Sequence, residues 1–258
     1  MGNGNLLSQL TKKKIVFNFR KRDIINGGEG APLTPIFHKY LIKSKKIDLP
    51  AGLLNIGGIS NLTFIKELNN FSILSKDVGP GNCLIDSWIQ KFTEEKFDKE
   101  GKISSRGSIN KVILEQALEV HENNFKNKDN ISLDTNDFDI SFVRGLSLED
   151  GAATLTAFTA KVISSNIKNF LKNFNNNKLT ILLCGGGRKN KNLIDHIKFN
   201  LNKNFILVNS EKFNINGDFI ESRAFAYLAI RSIQSLPISF PNTTGCSSPC
   251  SGGEIVQS

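Results

Sequence analysis

The sequence lacks a long hydrophobic run, a secretory signal and a cysteine framework, and each absence argues against a class of protein. No apolar stretch approaches the roughly 18 residues that a membrane-spanning helix needs, so we expect no membrane protein. The opening residues, MGNGNLLSQLTKKK, place the basic cluster after a short mixed segment, which is not the order of a secretory signal. Only 4 cysteines occur in 258 residues, too few for a disulfide scaffold. With 39% hydrophobic residues, the chain is expected to be a reduced, cytoplasmic enzyme or binding protein with a substantial core.

The sequence also has little arginine and shows no aromatic RNA-binding signature. Its formal net charge is +9, from 33 Lys and Arg against 24 Asp and Glu, and a basic balance of this kind can favour polyanions. The lysines, however, are spread along the whole chain rather than clustered, as a general compositional bias would produce. We therefore expect no nucleic-acid partner and no membrane partner, and keep a basic nucleic-acid-binding protein as an alternative.

Strand-like and helix-like segments alternate along the chain, separated by glycine-rich breaks. Two short apolar runs flank Gly57-Gly58 and are predicted to form a hairpin around them. The predicted strands are residues 51–56, 59–65, 71–75, 179–184 and 205–208. This alternation favours an α/β fold in which helices cover a mixed sheet.

Helical spacing of apolar residues predicts four helices between and after these strands. The first follows residue 82, and the second is opened by Ser147 and Asp150 at the spacing of a capping box. The third is predicted to begin near Asn190 and the fourth at Asp218. The polar region 123–137 is predicted to be a loop, and the Pro-, Ser- and Gly-rich tail to lack regular structure. No internal repeat is present.

Glycine-rich turns at strand ends are candidate phosphate sites, because glycine lets backbone N–H groups approach an anion closely. The candidates are the pair Gly57-Gly58, the segment DVGPGN over 77–82, and the triple glycine 185–187. None matches a P-loop or a GxGxxG motif, and each alone can equally be a tight turn. Three such turns in one domain favour a nucleotide cleft.

Asp77 is the acidic residue with the strongest functional prediction. It is predicted to lie at the carboxyl end of a strand beside a glycine loop, where open α/β sheets bind ligands. There it could act as a general base or hold Mg²⁺, or it could only cap the turn. Asp86, one turn into the following helix, is predicted to be a structural hydrogen-bond partner. Glu221 lies in the first turn of the last predicted helix, where its charge could simply stabilise the N-terminus of that helix.

The remaining reactive side chains give weak patterns. Of the cysteines only Cys246 and Cys250 are close in sequence, and no second ligand pair or neighbouring histidine completes a zinc site, so no metal site is predicted. The three histidines are isolated and fit no nucleophile–base motif. The basic stretch that begins at Arg20, next to Asp23, could steer an anionic substrate or form a solvated turn.

Taken together, the motifs resemble the anhydro-N-acetylmuramic acid kinases, a family of the sugar-kinase/Hsp70/actin-like superfamily. The matching blocks follow the family's order and cover the chain from Met1 almost to its end. They read FRKRDIINGGEGAPLTPIFH, LLNIGGISNLTFI, DVGPGNCLIDSW, EDGAATLTAFTA, LLCGGGRKN, NGDFIESRAFAYLAIRS, LPISFPNTTG and GGEIV. The resemblance implies an actin-like ATPase (ribonuclease H-like) fold with a mixed sheet flanked by helices.

The resemblance further implies an ATP-dependent kinase of peptidoglycan recycling. Such enzymes open the ring of 1,6-anhydro-N-acetylmuramic acid with water and phosphorylate the freed 6-oxygen, giving N-acetylmuramic acid 6-phosphate. It implies that Asp77 is the general base and that Mg²⁺ bridges the phosphates of ATP. Glu221, and with it Arg20 and Asp23, is assigned to the sugar. The residues assigned to the nucleotide are Gly57, Gly58, Gly79, Gly81, Asn82, Gly185, Gly186 and Gly187.

The sequence also departs from the family pattern. The family's G-T-S-x-D-G phosphate loop and H-G-Q-T segment are absent, so Met1 resembles an internal start and the N-terminal domain is expected to be incomplete. We expect residues 1–50 to be a remnant of that domain and 51–258 the C-terminal actin-like domain. Asn18, Glu29 and Val78 replace the family's Asp, Gln and Thr. The alternative is an inactive remnant that binds sugar or nucleotide, forms a homodimer, or pairs with a separately encoded N-terminal half.

Overall fold

The structure is a computed structural model that describes residues 3–69, 72–125, 133–174 and 178–257. By its internal contacts the chain forms two compact units. Unit 1 comprises Met1–Ala51, Thr63–Ser75 and Phe219–Ser258, and unit 2 comprises Gly52–Leu62 and Lys76–Asp218. These units are defined by packing and do not follow a single boundary after residue 50. That boundary stays a prediction about the family's domains.

A mixed five-stranded sheet with the order β4-β3-β2-β5-β6 forms the centre of the fold. Its strands are β2 (Ala51–Ile56), β3 (Ile59–Ile65), β4 (Ile73–Pro80), β5 (Leu179–Cys184) and β6 (Phe205–Asn209). The hairpin around Gly57-Gly58 is confirmed, since β2 and β3 are neighbours joined by these two residues. Strands β5 and β6 are parallel, with Leu179 opposite Phe205. The predicted bounds of β2, β3 and β5 are confirmed.

Strand β4 differs from its prediction. The sequence placed a strand at 71–75 and a glycine turn from residue 77, whereas β4 runs over Ile73–Pro80 and residue 71 lies outside the described residues. Gly79 therefore lies within the strand, with φ +136°, and an added Cβ would come 2.7 Å from the Cγ1 of Val162. The apolar run alone predicted too short a strand, because a polar and glycine-rich segment continues it.

Four α-helices belong to unit 2: α4 (Cys83–Phe92), α5 (Lys111–Phe125), α6 (Leu148–Phe170) and α7 (Lys191–Asn200). Helix α6 is buried over most of its length, and its N-cap Ser147 accepts a hydrogen bond from the backbone N–H of Asp150 (3.1 Å). The predicted capping box is incomplete, because Asp150 accepts from the N–H of Ser108 (2.7 Å). Helix α7 begins beside Asn190 as predicted, and Asn190 caps it by accepting a hydrogen bond from the N–H of Leu193.

Helix α5 was not predicted from the sequence. Its apolar residues do recur at helical spacing, at Leu114, Leu118 and Phe125, although Leu114 is the one that is fully buried. The polar region predicted as a loop, 123–137, is helical up to Phe125 and forms a short 3₁₀ turn over Thr135–Asp137. Residues 126–132 of that prediction lie outside the described residues.

Unit 1 contains short elements from both ends of the chain. Strand β1 pairs with β7 in antiparallel register, Ile15 opposite Val256, so the tail predicted to lack regular structure forms a strand and a short helix. The last long helix begins at Ile220 rather than at Asp218. The elements are α1 (Gly4–Thr11), β1 (Ile15–Phe17), α2 (Lys21–Ile25), α3 (Pro35–Ser44), α8 (Ile220–Ile233), α9 (Pro241–Thr244) and β7 (Glu254–Val256).

The core follows the apolar periodicity of the sequence. Leu84, Ile85, Trp88 and Ile89 of α4 are buried, whereas Phe92, which shares their spacing, is 50% exposed at the end of the helix. Among the described helices, even the 23-residue α6 lacks the sustained apolar character that a bilayer crossing requires.

Candidate active site

Backbone hydrogen bonds tie the glycine hairpin to the turn that precedes α4. The N–H of Gly81 donates to the carbonyl of Gly58 (2.8 Å), and the N–H of Asn82 donates to that of Gly57 (2.7 Å). An added Cβ on Gly81 would overlap the Gly57 carbonyl oxygen. The two turns therefore pack backbone against backbone, which a side chain at residue 81 would prevent.

The triple glycine after β5 packs against the same end of β2. Gly185 has φ +75°, and an added Cβ would lie 2.5 Å from both the Asn55 Oδ1 and the Ile56 carbonyl oxygen. A Cβ on Gly187 would overlap the Ile56 side chain, and the Asn82 amide donates to the Ile56 carbonyl (3.4 Å). The structure thus brings the three glycine turns together within unit 2. We call this the glycine cluster, and it consists of Gly57, Gly58, Gly81, Asn82, Gly185, Gly186 and Gly187.

The glycine cluster is only partly accessible to solvent. Gly81 and Gly187 are buried, whereas Gly58 and Gly186 are exposed. The nearest atom to an added Cβ on Gly186 lies 3.8 Å away. Because the amides of residues 81 and 82 donate to the hairpin, the exposed glycines are the positions where a ligand would meet this backbone.

A buried arginine, not predicted from the sequence, closes the same region. Arg188 is 6% exposed, and its guanidinium donates to the Gly185 carbonyl (2.7 Å), to Asp218 (2.8 Å) and to Glu211. Hydrogen bonds from Arg188 and Lys189 lower the pKa of Asp218 to about 2. Asp218, predicted to begin a helix, instead pairs with these two cations.

Asp77 lies on β4, within the strand rather than at its end. Its Oδ2 accepts a hydrogen bond from the backbone N–H of Leu133 (2.9 Å), which orients the carboxylate. The side chain of Asp77 lines a pocket of about 600 Å³ in unit 2, within the usual range for small-ligand sites. The structure therefore places the predicted base at a cavity that can hold a small molecule.

The wall of this Asp77 pocket combines cations, amides and aromatic rings. Three lysines contribute to it, Lys76 from β4 and Lys161 and Lys168 from α6. His121 and Phe125 of α5 form an aromatic side, with ring centroids 4.5 Å apart. Burial lowers the pKa of His121. The sequence signal for the two α6 lysines was their seven-residue spacing, which puts both on one face of the helix.

Asp86 lies in the first turn of α4 and does not line the Asp77 pocket. Burial, together with the charge of Asp98, raises the pKa of Asp86 to about 6. Asp98 accepts hydrogen bonds from the backbone N–H groups of Ile103 (2.8 Å) and Ser104 (3.0 Å). The raised pKa of Asp86 therefore has a local cause, and its structural role stays a prediction.

The residues assigned to the sugar lie in unit 1. Arg20 and Glu221 are exposed, and Glu221 occupies the first turn of α8. Asp23 is 1% exposed, and its carboxylate accepts from the Thr244 hydroxyl (2.7 Å) and the Gly30 N–H (2.7 Å). This burial favours a supporting role for Asp23 in shaping the loop up to Gly30 over direct contact with a ligand.

The two close cysteines have a partner that the sequence spacing did not reveal. The sulfur atoms of Cys246 and Cys250 and a carboxylate oxygen of Asp23 all lie within 4.8 Å of one another. Burial, the Asp23 charge and Cys250 raise the pKa of Cys246, while hydrogen bonds with Thr244 and Ser239 oppose this shift. Two thiols and a carboxylate form a donor set for a soft divalent ion, although Asp23 is already held by two protein donors.

A mixed sheet flanked by helices, a glycine cluster at one end of its strands and a carboxylate in a lysine-lined pocket define an α/β protein built to bind a polar small ligand. The family model for anhydro-N-acetylmuramic acid kinase matches residues 1–258. The chain therefore belongs to the anhydro-N-acetylmuramic acid kinase family.

Curated relatives named anhydro-N-acetylmuramic acid kinase match the whole chain. The protein of Pelagibacter ubique is 50% identical over 257 residues, which cover 100% of this chain and 68% of the relative. That of Zymomonas mobilis is 39% identical, covering 99% of this chain and 67% of the relative. That of Caulobacter vibrioides is 37% identical, covering 97% and 65%. The chain thus spans about two thirds of the length of these relatives.

Among solved structures, the chain is similar to an activator of the 2-hydroxyisocaproyl-CoA dehydratase from Clostridium difficile, determined with bound ADPNP. The identity is 14% and the TM-score 0.40, over 76% of this chain and 66% of the activator.

Proposed function

We propose that this chain acts in the ATP-dependent conversion of 1,6-anhydro-N-acetylmuramic acid to N-acetylmuramic acid 6-phosphate, with Asp77 as the general base. Family membership supports the reaction class. The observation that carries the assignment of Asp77 is its position in the wall of the 600 Å³ pocket, with its carboxylate oriented by the Leu133 amide. A sugar in this pocket would bring its anomeric carbon within reach of a water held by Asp77.

In the proposed reaction, Asp77 accepts a proton from water as the water oxygen bonds to the anomeric carbon of the sugar. The bond from that carbon to the 6-oxygen breaks, and the 6-oxygen attacks the γ-phosphorus of ATP, releasing ADP. The contribution of Asp77 is placement and an ionised state, since a general base must lie within hydrogen-bond reach of the proton that it takes.

For the nucleotide, we propose that Gly58 and Gly186 contact the phosphates directly. They are the exposed members of the glycine cluster, and an added Cβ on Gly186 would make only an ordinary contact, 3.8 Å from the side-chain amide nitrogen of Asn82. Gly79, Gly81 and Gly187 would then act by allowing close packing. Of the eight residues that the sequence assigned to the nucleotide, this proposal thus keeps as direct phosphate contacts the two glycines whose backbone is exposed.

Mg²⁺ is proposed to accompany ATP as its phosphate complex. The one group of three or more metal-ligating side chains found among the described residues is the Asp23, Cys246 and Cys250 set. Its two thiols do not suit a cation that prefers oxygen ligands. The described residues thus do not fit a dedicated Mg²⁺ cage, and no step is assigned to the ion here.

Glu221, Arg20 and Asp23 stay proposed for the sugar from the family resemblance alone, since none of them lines the Asp77 pocket, and Asp23 has the supporting position that its burial favours. We further propose that the reaction serves peptidoglycan recycling in the cytoplasm, as the family resemblance implies. The alternative is a chain that binds sugar or nucleotide without turnover, forming a homodimer or joining a separately encoded N-terminal half.

The test is ADP release from Mg·ATP with and without the anhydro sugar, for the 258-residue chain and its Asp77→Asn variant. The amide keeps an oxygen for the Leu133 N–H but cannot take a proton, so we expect turnover to fall by roughly 10²–10⁴-fold at unchanged ATP affinity. Calorimetric titration with ATP provides the affinity.

Two other results would redirect the assignment. Near-normal turnover of Asp77→Asn would remove Asp77 as the base. Binding of sugar and nucleotide by the wild-type chain with no sugar-dependent ADP release would support the alternative without turnover.

A further inference from the structure

Three lysine side chains lie around the Asp77 pocket without a carboxylate partner among the described residues. Lys76, Lys161 and Lys168 line the cavity, and none forms an ion pair with residues in the described part of the chain. The acidic groups in the same wall are Asp77 and Glu122. Counted over the described residues, the pocket wall therefore has three lysines against two carboxylates, one of which is the carboxylate proposed as the base.

The two lysines of α6 are placed as a pair. Residues 161 and 168 are separated by two helical turns, about 10.5 Å along the axis, on one face of the helix. The exposed side chain of Ser165 lies between them and also lines the pocket. The Asn166 side-chain amide donates to the Val78 carbonyl (3.2 Å), so α6 is tied to β4 beside Asp77.

The aromatic side of the pocket suits a sugar ring rather than a bare inorganic anion. His121 and Phe125 lie close together, and His121 also meets the ring of Phe158 edge-on, at 5.6 Å between centroids. Burial lowers the pKa of His121, and the rings of His121 and Phe125 give this side of the pocket a flat surface beside the carboxylate of Glu122. Amide side chains of Asn166, Asn169 and Asn200 add hydrogen-bonding groups for hydroxyls.

We infer that Lys161 and Lys168 select a sugar that carries a carboxylate, by binding the lactyl carboxylate that distinguishes a muramic acid from the corresponding glucosamine. This inference rests on the proposed function, since it assigns the sugar to the Asp77 pocket. The lysines are specificity-determining residues that contact the substrate's acid group, and they take no part in the proton transfer at Asp77.

The experiment compares two sugars, 1,6-anhydro-N-acetylmuramic acid and 1,6-anhydro-N-acetylglucosamine, which lacks the lactyl group. Calorimetric titration of the full chain without ATP measures the binding of each to wild type, Lys161→Gln and Lys168→Gln. We expect each substitution to weaken the acid sugar by roughly 5–10-fold and to leave the neutral sugar unchanged, because only the acid sugar presents a charge to the lysine. Lys172→Gln, an exposed lysine outside the pocket, is the matched control with the same charge change.

Raising the salt concentration is expected to weaken the acid sugar for wild type and less so for the two pocket variants. Equal affinity of wild type and both variants for the acid sugar would overturn this inference alone. The same holds for an equal loss with both sugars, which would indicate a damaged pocket. Failure of wild type to bind the acid sugar at all would overturn the inference together with the proposed function.

Discussion

The glycine cluster and the Asp77 pocket lie in the same unit, but they differ in what their backbone and side chains contact. In the glycine cluster, the amides of Gly81 and Asn82 donate to hairpin carbonyls, and Arg188 is surrounded by acceptors. In the pocket, three lysines have no ion pair with any described residue, and the cavity measures about 600 Å³. The backbone amides at Gly81 and Asn82 thus have protein acceptors, whereas the pocket lysines have no ion-pair partner among the described residues.

This difference separates two reasons for a residue to stand out in the sequence. Glycine is required at residue 81 because two backbones meet there, whatever ligand binds nearby. Lysine is not required for packing at residue 161, which is exposed on a helix. Residues of the first kind are expected to control stability, and those of the second kind ligand choice.

The largest expected effect is that of Gly81→Ala on stability. A Cβ at this position would overlap the Gly57 carbonyl oxygen, so the hairpin or the start of α4 must move. We expect a loss of roughly 2–4 kcal/mol in the free energy of unfolding, measured by urea denaturation. Gly186→Ala is the control, because the nearest atom to its Cβ would be 3.8 Å away. Similar unfolding free energies for the two variants would show that the close backbone contact at Gly81 does not make this glycine more important for stability than the exposed Gly186.

A smaller loss is expected for Arg188→Gln. The substitution leaves Glu211 and Asp218 without their buried cation, but both acids are nearly half exposed, so water replaces part of the interaction. We expect the unfolding free energy at pH 7 to fall by roughly 1–3 kcal/mol. Lys189→Gln, which removes an exposed partner of the same Asp218, should cost less.

The Arg188→Gln variant is also expected to change how the unfolding free energy depends on pH. The pKa of Asp218 is lowered to about 2 in the folded chain, so its ion pair stabilises the fold above about pH 4 and is lost as the pH falls toward 2. In Arg188→Gln this part of the acid dependence should shrink. An unchanged stability profile between pH 5 and pH 2 would show that Asp218 does not depend on the buried cation.

The smallest expected effect is a gain, from Asp86→Asn. The folded-state pKa of Asp86 is raised to about 6, so its ionisation destabilises the fold as the pH rises from about 4 to about 6. The amide avoids this cost, and because Asp86 is only partly buried, solvent screening limits the expected gain to roughly 1 kcal/mol at pH 7, with none at pH 4. Glu115→Gln, on the exposed side of α5, is the control without a gain. A gain independent of pH would argue against burial of the charge as its cause.

Much of the unit 2 fold could be predicted from apolar patterning. The bounds of β2, β3 and β5 follow from continuous apolar runs between glycine breaks, and the caps Ser147 and Asn190 act as their residue types indicate. Helix α5 could also have been predicted, because Leu114, Leu118 and Phe125 lie at helical spacing, although only Leu114 is fully buried. Strand β7 could not be predicted, because its pairing with β1 joins opposite ends of the chain.

The candidate-site residues that belong to a sequence motif could be predicted. Those that are brought to the site only by tertiary packing could not. Asp77 and the three glycine turns stand out as residue types in a recognisable order. No local sequence pattern predicts the buried Arg188 or the Asp23 carboxylate beside Cys246. Both arrangements depend on contacts between residues that are distant in sequence. The lysines 161 and 168 share a helix face, but a helix face does not show that it borders a pocket.

The close backbone approach at Gly81 and Gly187 also affects how variation among related proteins is interpreted. Invariance at these positions would follow from packing even in a relative that had lost its nucleotide, so it is a poor marker of retained catalysis. Variation at Gly186, and at the lysines of α6, is freer of that constraint and would record a change of ligand more faithfully. Substitutions at Gly186 and at the lysines of α6, with Gly81 and Gly187 kept, would indicate a member of the family that binds a different ligand.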